Sequence, residues 1–168
     1  SALKILISKL KSFEPDKIAG IVGDLADLEM IYSFKLFFEK CLGSANFECR
    51  HDKIYINPSD RINYIFNSTI KGIEKSDLIL LIGTNPRHEA TMLNARIRKA
   101  YVKNKVKIYS VGNPGDLTYP FKYIGSKTSI IKDIVSGNHE LSNKIKKSKN
   151  PIIILGESVL AGRAGQYV

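Results

Sequence analysis

The stretch Asp77-Leu78-Ile79-Leu80-Leu81-Ile82-Gly83-Thr84-Asn85-Pro86-Arg87-His88-Glu89 decides the fold class. After Asp77 the apolar residues run without alternation, which suits a short strand buried on both faces. Gly83 ends the run. Asn85 and Pro86 then open a helix, Asn85 as N-cap and Pro86 at the first helical position, where its missing N–H costs nothing. The helical pattern continues to Val102, and a second apolar strand, Val106–Val111, closes in Gly112-Asn113-Pro114-Gly115. Strand, helix and strand in this order read as a parallel βαβ unit.

Upstream, Ala2–Phe13 repeats apolar residues at 3, 6, 7, 10 and 13 and reads as a helix stopped by Pro15. Ile18–Val22 is a short β-branched run ending in Gly23-Asp24. Asp27–Leu42 reads as a helix with Leu28, Ile31, Phe34, Leu36, Phe38 and Leu42 inward, ended by Gly43. Phe47–Arg50 suits a short strand, and Thr69–Lys75 a turn or two of helix. Downstream, Lys122–Ile124 and Pro151–Leu155 read as strands, and Ser129–Val135 and His139–Lys147 as helices.

Four of the apolar runs end in glycine, at Gly23, Gly83, Gly112 and Gly156. Glycines at the carboxyl ends of parallel strands form a crest where backbone can approach a ligand. The fold class expected is α/β: three layers, Rossmann-like, a mainly parallel sheet of about five strands with helices on both faces. Residues 15–168 are read as one such domain and 1–14 as an appended helix.

No apolar run approaches the roughly 20 residues of a membrane-spanning helix. The sequence opens Ser1-Ala2-Leu3-Lys4-Ile5, without a signal-peptide charge pattern or an initiator methionine. It reads as an excised piece of a longer polypeptide, with Ser1 as the scar of a cleaved tag. Residues 1–84 carry 11 basic and 11 acidic side chains, whereas residues 85–168 carry 15 and 5, so the net +10 lies in the second half. Lysines and arginines cluster at 87–107 and 144–149, which suits an anionic partner. With 23 Ile, 20 Lys and 11 Asn against no Trp, AT-rich coding and solvated helix faces also account for the basicity. No nucleic-acid-binding motif accompanies it, and no nucleic acid is expected.

The chemistry at the crest is sparse. Free N–H groups after Asn85, beside Arg87 and His88, could hold a phosphate. Equally, Asn85 and Glu89 could satisfy the same helix start from within. The glycine fingerprints of dinucleotide and P-loop sites are absent. His51, His88 and His139 lack metal-ligand spacing; Cys41 and Cys49 are too few for a cluster site, and Cys41 reads as a buried free thiol. Asp24 and Asp27 read as caps, and Ser158 lies in no nucleophile elbow. Catalytic, cofactor-binding and metal-binding residues are therefore each read as none.

A resemblance emerges at residues 68–100. Ser68-Thr69-Ile70, Gly72-Ile73-Glu74, Asp77, Leu80-Leu81-Ile82-Gly83-Thr84-Asn85-Pro86-Arg87, Glu89-Ala90 and Leu93-Asn94-Ala95-Arg96-Ile97-Arg98-Lys99 together resemble the large iron–sulfur subunit of respiratory complex I, the NADH-quinone oxidoreductase. Gly20-Ile21-Val22-Gly23-Asp24-Leu25 and Gly115-Asp116-Leu117-Thr118-Tyr119 add support, while Thr91 stands where the family has proline. The resemblance implies a slice of that subunit's molybdopterin-oxidoreductase-like, carboxyl-side region. It implies no cofactor here, with the iron–sulfur clusters in the missing N-terminal part. In complex I the region is understood to have lost the molybdopterin and to act as scaffold.

The expected partners are other complex I peripheral-arm subunits and the rest of the parent polypeptide, on the cytoplasmic side of the bacterial inner membrane without insertion. The parent complex passes electrons from NADH to quinone and pumps protons. Arg96, Arg98 and Lys99 are the expected contacts for an acidic partner, if their helix face is exposed. The competing expectation is a residual nucleotide or pterin module on the crest.

Overall fold

A computed structural model describes residues 1–23, 25–49 and 54–168. The chain divides into two compact units, Ser1–Asp52 and Lys53–Val168.

In the first unit, helix α1 (Ala2–Lys11) buries none of its residues, so Leu3, Leu6 and Ile7 stand exposed. Strand β1 (Gly20–Ile21) pairs in parallel with β2 (Phe47–Glu48) as a separate two-stranded sheet. The run Ile18–Val22 therefore does not join the main sheet. Helix α2 (Leu28–Leu36) is capped by Asp27, whose Oδ1 accepts from the Met30 N–H at 2.7 Å. It passes into a π-helical turn, Phe37–Leu42, that ends on Gly43 with φ of 65°.

The wider turn leaves the 3.6-residue period, and two-residue strands span only about 7 Å, little more than one helical turn. The small sheet thus buries Phe38, against Phe34 and Phe47, and cannot cover the whole expected stripe. Two expectations are corrected on that ground. Leu28 is 78% exposed and Leu36 is exposed as well. Cys41, expected to be buried, is exposed on the π-helical turn.

The second unit holds the predicted α/β architecture. Strands β3 (Leu78–Ile82), β4 (Lys107–Val111), β5 (Lys122–Gly125) and β6 (Pro151–Leu155) form one parallel sheet in the order β5-β4-β3-β6. It has four strands because Gly20–Ile21 pairs elsewhere. Every β3 side chain is buried, as its unbroken apolar sequence requires.

Ile79 and Leu81 point into one apolar cluster with Ile97 and Ala100 of helix α4 (Thr91–Asn104). Leu78, Leu80 and Ile82 point into the other, with Leu141 of α6 (Glu140–Lys147) and isoleucines of α5 (Ser129–Val135). Each such side chain contributes roughly 1.5–3 kcal/mol on burial. Three layers result. A buried polar bridge ties the β4–β5 connection to α4: the Tyr119 hydroxyl donates to Asn94 Oδ1 at 2.8 Å, and Asn94 Nδ2 donates to the Leu117 carbonyl. Burial pushes the Tyr119 hydroxyl well above the ordinary tyrosine range.

The expected helix from Pro86 to Val102 is two. A one-turn α3 (Pro86–Glu89) and α4 are separated by Ala90 at φ −150° and ψ 69°. The break frees a short turn to fold over the strand ends while α4 packs on the sheet. A final short helix, α7 (Glu157–Ala161), follows β6.

Candidate functional site

In a sheet ordered β5-β4-β3-β6, the connections leave β3 for β4 on one side and return to β6 on the other. The crevice between the loops after β3 and β6 is thus the switch point where open α/β sheets bind ligands. Gly83 and Gly156 face each other across it.

That crevice is filled by the protein itself. The Gly156 N–H donates to the Ile82 carbonyl at 2.8 Å, and the Gly83 N–H to the Val111 carbonyl at 2.9 Å. Ser158 Oγ donates to the Gly83 carbonyl at 2.6 Å. A methyl group built on Gly156 would stand 2.0 Å from the Gly83 carbonyl oxygen, and one on Gly83 would stand 1.8 Å from Val159 Cγ2. Gly83 also has φ of 56°, the left-handed region that favours glycine. Gly156 is needed for the close approach of its backbone to that of Gly83, and Gly83 for its left-handed turn and the close approach of the Val159 side chain.

Beside the crevice, Asn85 Oδ1 accepts the N–H groups of Arg87 and His88 at 3.1 and 3.3 Å. Glu89 folds back over the turn: its Oε2 accepts from Thr84 Oγ1 at 2.7 Å and its Oε1 from the Asn85 N–H at 3.0 Å. A carboxylate therefore occupies the position an incoming phosphate would need. Arg87, the crest's cation, is turned onto Asp116 and donates to that carboxylate and to the Asp116 carbonyl. The Thr118 N–H, with Arg87 beside it, holds the Asp116 carboxyl below its ordinary value. The hollow left among Gly83, Asn85, Glu89, Gly112, Asn113 and Ser158 is about 200 Å³, below the roughly 300–1,000 Å³ of small-molecule sites.

His139 caps α6, its Nδ1 accepting from the Leu141 N–H at 3.1 Å. His88 is exposed on α3, and Cys49 is exposed in the first unit. Asp24 and His51 lie outside the described residues, as does Arg50, the end of the expected strand Phe47–Arg50. Among the described residues no group of three or more His, Cys, Asp or Glu is placed to hold a metal ion.

The expected acidic-partner contacts are corrected in part: Arg96 and Lys99 both pair with Glu74 of the same unit, and Arg98 alone of the three is exposed without an ion pair among the described residues. Hydrogen bonds from Lys99 and Arg96 hold the Glu74 carboxyl below its ordinary value. Sequence reasoning missed Asp116 as the partner of Arg87 and Val159 as the plug against Gly83. The stretch Gly115–Tyr119 was the available signal for the first.

The family model for molybdopterin oxidoreductase matches residues 1–168. The chain belongs to the molybdopterin oxidoreductase family. This member is 39% identical over 166 residues to the G subunit of NADH-quinone oxidoreductase from Rickettsia typhi and from Rickettsia prowazekii, covering 99% of its own length and 24% of theirs. The same subunit of Rickettsia felis is 39% identical over 167 residues. The resemblance to the large complex I subunit carried by residues 68–100 is thereby borne out. The chain spans about a quarter of the length of the curated relatives it matches.

The family implies a molybdopterin cofactor, and the crest residues do not fit one. The switch-point crevice is packed shut, the donors of the α3 turn are taken by Asn85 and Glu89, and the remaining hollow presents a carboxylate. A pterin carrying phosphate groups would meet repulsion where it needs N–H donors. Among the described residues no helix is long and apolar enough to cross a membrane.

Proposed function

We propose that this protein is a scaffold domain within the large iron–sulfur subunit of an NADH-quinone oxidoreductase. In the parent complex, electrons pass from NADH to quinone with coupled proton pumping, and this domain carries none of that chemistry. Its work is to pack against other peripheral-arm subunits and to support the cluster-bearing part of its own polypeptide, on the cytoplasmic side of the bacterial inner membrane. One observation carries the reading. The crevice that open α/β sheets use for ligands is filled by contact between Gly83 and Gly156, with Val159 and Ser158 against them. A self-closed crest is what remains useful to a structural part once a ligand is no longer held.

The test uses the full parent subunit in its complex. Arg87→Ala and Glu89→Gln, which touch the crest but not the core, should leave assembly and NADH oxidation near wild type. A core variant, Leu80→Ala, should reduce both together through loss of assembled complex. A crest variant that assembles fully yet loses most of the turnover would overturn the scaffold reading.

A further inference from the structure

The edge of the sheet opposite the crest gathers a different set of side chains. Three segments meet there: the turn before β3, the α4–β4 connection, and the α6–β6 connection with the last turns of α6. They border an open recess of about 660 Å³. Six lysines line it, Lys75, Lys105, Lys107, Lys144, Lys147 and Lys149, with Asp77 as the carboxylate among them. Two sequence clusters 37 or more residues apart are thus brought to one place.

The recess is cross-tied. Asp77 accepts the N–H groups of Lys149 and Asn150 at 2.8 and 3.0 Å, so its charge is already engaged, and the Lys149 N–H in particular holds its carboxyl below the ordinary value. Asn150 Nδ2 donates to the Lys75 carbonyl, and Asn104 Nδ2 to the Glu74 carbonyl at 2.7 Å. Lys144 is held by Glu140 and lies over the Tyr109 ring. The other five lysines have no ion-pair partner among the described residues.

Helix-end capping explains part of this. Lysines in the last turn of a helix are favoured by its negative end, and Lys144 and Lys147 lie in the last turn of α6. Lys107 opens a strand and Lys149 sits in a loop, so capping does not account for them. Like charges enclosed in a concavity raise the local potential and attract a polyanion.

We propose that this recess docks a carboxylate-rich segment of a protein partner. The chemistry favours that occupant over the alternatives. Among the described residues no aromatic face lines the recess on which a base could stack, and no arginine offers a two-pronged grip on phosphate. Its apolar lining residue, Leu78, is buried, so nothing there could insert into a lipid surface. The proposal stands on the lysine geometry and is independent of the scaffold reading.

The experiment titrates the whole protein into a fluorescent octaglutamate peptide and follows anisotropy at about 0.1 M salt and about 1 M salt, where the screening length falls from about 10 Å to about 3 Å. The double variant K107E/K149E should weaken binding about tenfold or more, and K107Q/K149Q by an intermediate factor, as expected when close charge pairs are lost. The control K127E/K132E, on α5 and its approach with the same change in net charge, should weaken it less than about threefold. High salt should abolish binding. Equal losses in the recess and control variants would overturn the proposal, as would recess variants that lower the melting temperature without changing affinity, which is the signature of capping alone. A single-stranded oligonucleotide or an anionic vesicle that binds tighter than the peptide through the same lysines would also overturn it.

Discussion

Adding one methyl group at each of three glycines separates backbone strain from crowding, because Gly137, after α5, has only the first, Gly156 only the second, and Gly83 both. Gly137 has φ of 82° with nothing within 4 Å of a built methyl. Gly137→Ala therefore pays only for the left-handed conformation, roughly 1–2 kcal/mol. Gly156 lacks the positive φ, but its methyl would lie 2.0 Å from the Gly83 oxygen and 2.6 Å from the Gly83 carbonyl carbon. Backbone cannot rotate away as a side chain can, so Gly156→Ala should reach or exceed the upper end of the overpacking range, about 3 kcal/mol.

Gly83→Ala combines both costs, with the clash falling on Val159 Cγ2, a side-chain atom. At roughly 4 °C per kcal/mol for a unit of this size, scanning calorimetry should show Gly137→Ala lower by about 4–8 °C and Gly156→Ala by about 12 °C or more. Adding Val159→Ala should rescue part of Gly83→Ala, giving a coupling of about 0.5–3 kcal/mol in a double-mutant cycle. It should do nothing for Gly156→Ala. A Gly156→Ala protein melting within about 2 °C of wild type, or strict additivity of Gly83→Ala and Val159→Ala, would refute the closed crevice.

Acid should destabilise the fold through four carboxylates held below their ordinary values: Glu74 by Lys99 and Arg96, Asp77 by the Lys149 N–H, Asp116 by the Thr118 N–H and Arg87, and Glu140 by Lys122 and Lys144. A depressed carboxyl stabilises fully above its unfolded value, and that contribution is lost as pH falls through the folded value. Urea midpoints should therefore decline progressively below about pH 4.5, and a midpoint that rises between about pH 5 and pH 3 would contradict this. Tyr119→Phe should cost about 1–3 kcal/mol by leaving Asn94 Oδ1 without its donor in a buried place. Chemical denaturation measures it, and an unchanged midpoint would show that the bridge contributes nothing.

How much the residues disclosed varies with the range of the interaction. Leu78–Ile82 announced a central strand because burial on both faces removes alternation, and β4 and β6 followed from the same grammar of apolar run and glycine. The same signal at Ile18–Val22 belongs to the small sheet, and β5 was legible only as a short run at Lys122–Ile124. Asn85, Pro86 and Glu89 disclosed the self-capped turn because capping is local. The first unit misled, since helical periodicity assumes a surface wide enough to cover the stripe, and β1 with β2 is not one. Leu28 and Cys41 were misplaced for that reason.

Pairing between distant segments was hidden too. Glu74 takes Arg96 and Lys99 from 22 and 25 residues away, and Arg87 finds Asp116 across 29. Spacing along a helix carries no record of a carboxylate on a neighbouring element. The lysine recess shows the same limit: its charge was visible in the composition, and its shape arises only where three connections meet at the sheet edge.

The crest is closed and self-satisfied. Its most direct test is the melting temperature of the protein with and without GTP at millimolar concentration. A nucleotide bound with a dissociation constant about 100-fold below its concentration would stabilise the native state by about 2.7 kcal/mol, a shift of several degrees. A closed crest gives a shift of less than about one degree, for wild type and for Arg87→Ala alike. A reproducible shift of several degrees that Arg87→Ala abolishes would contradict it.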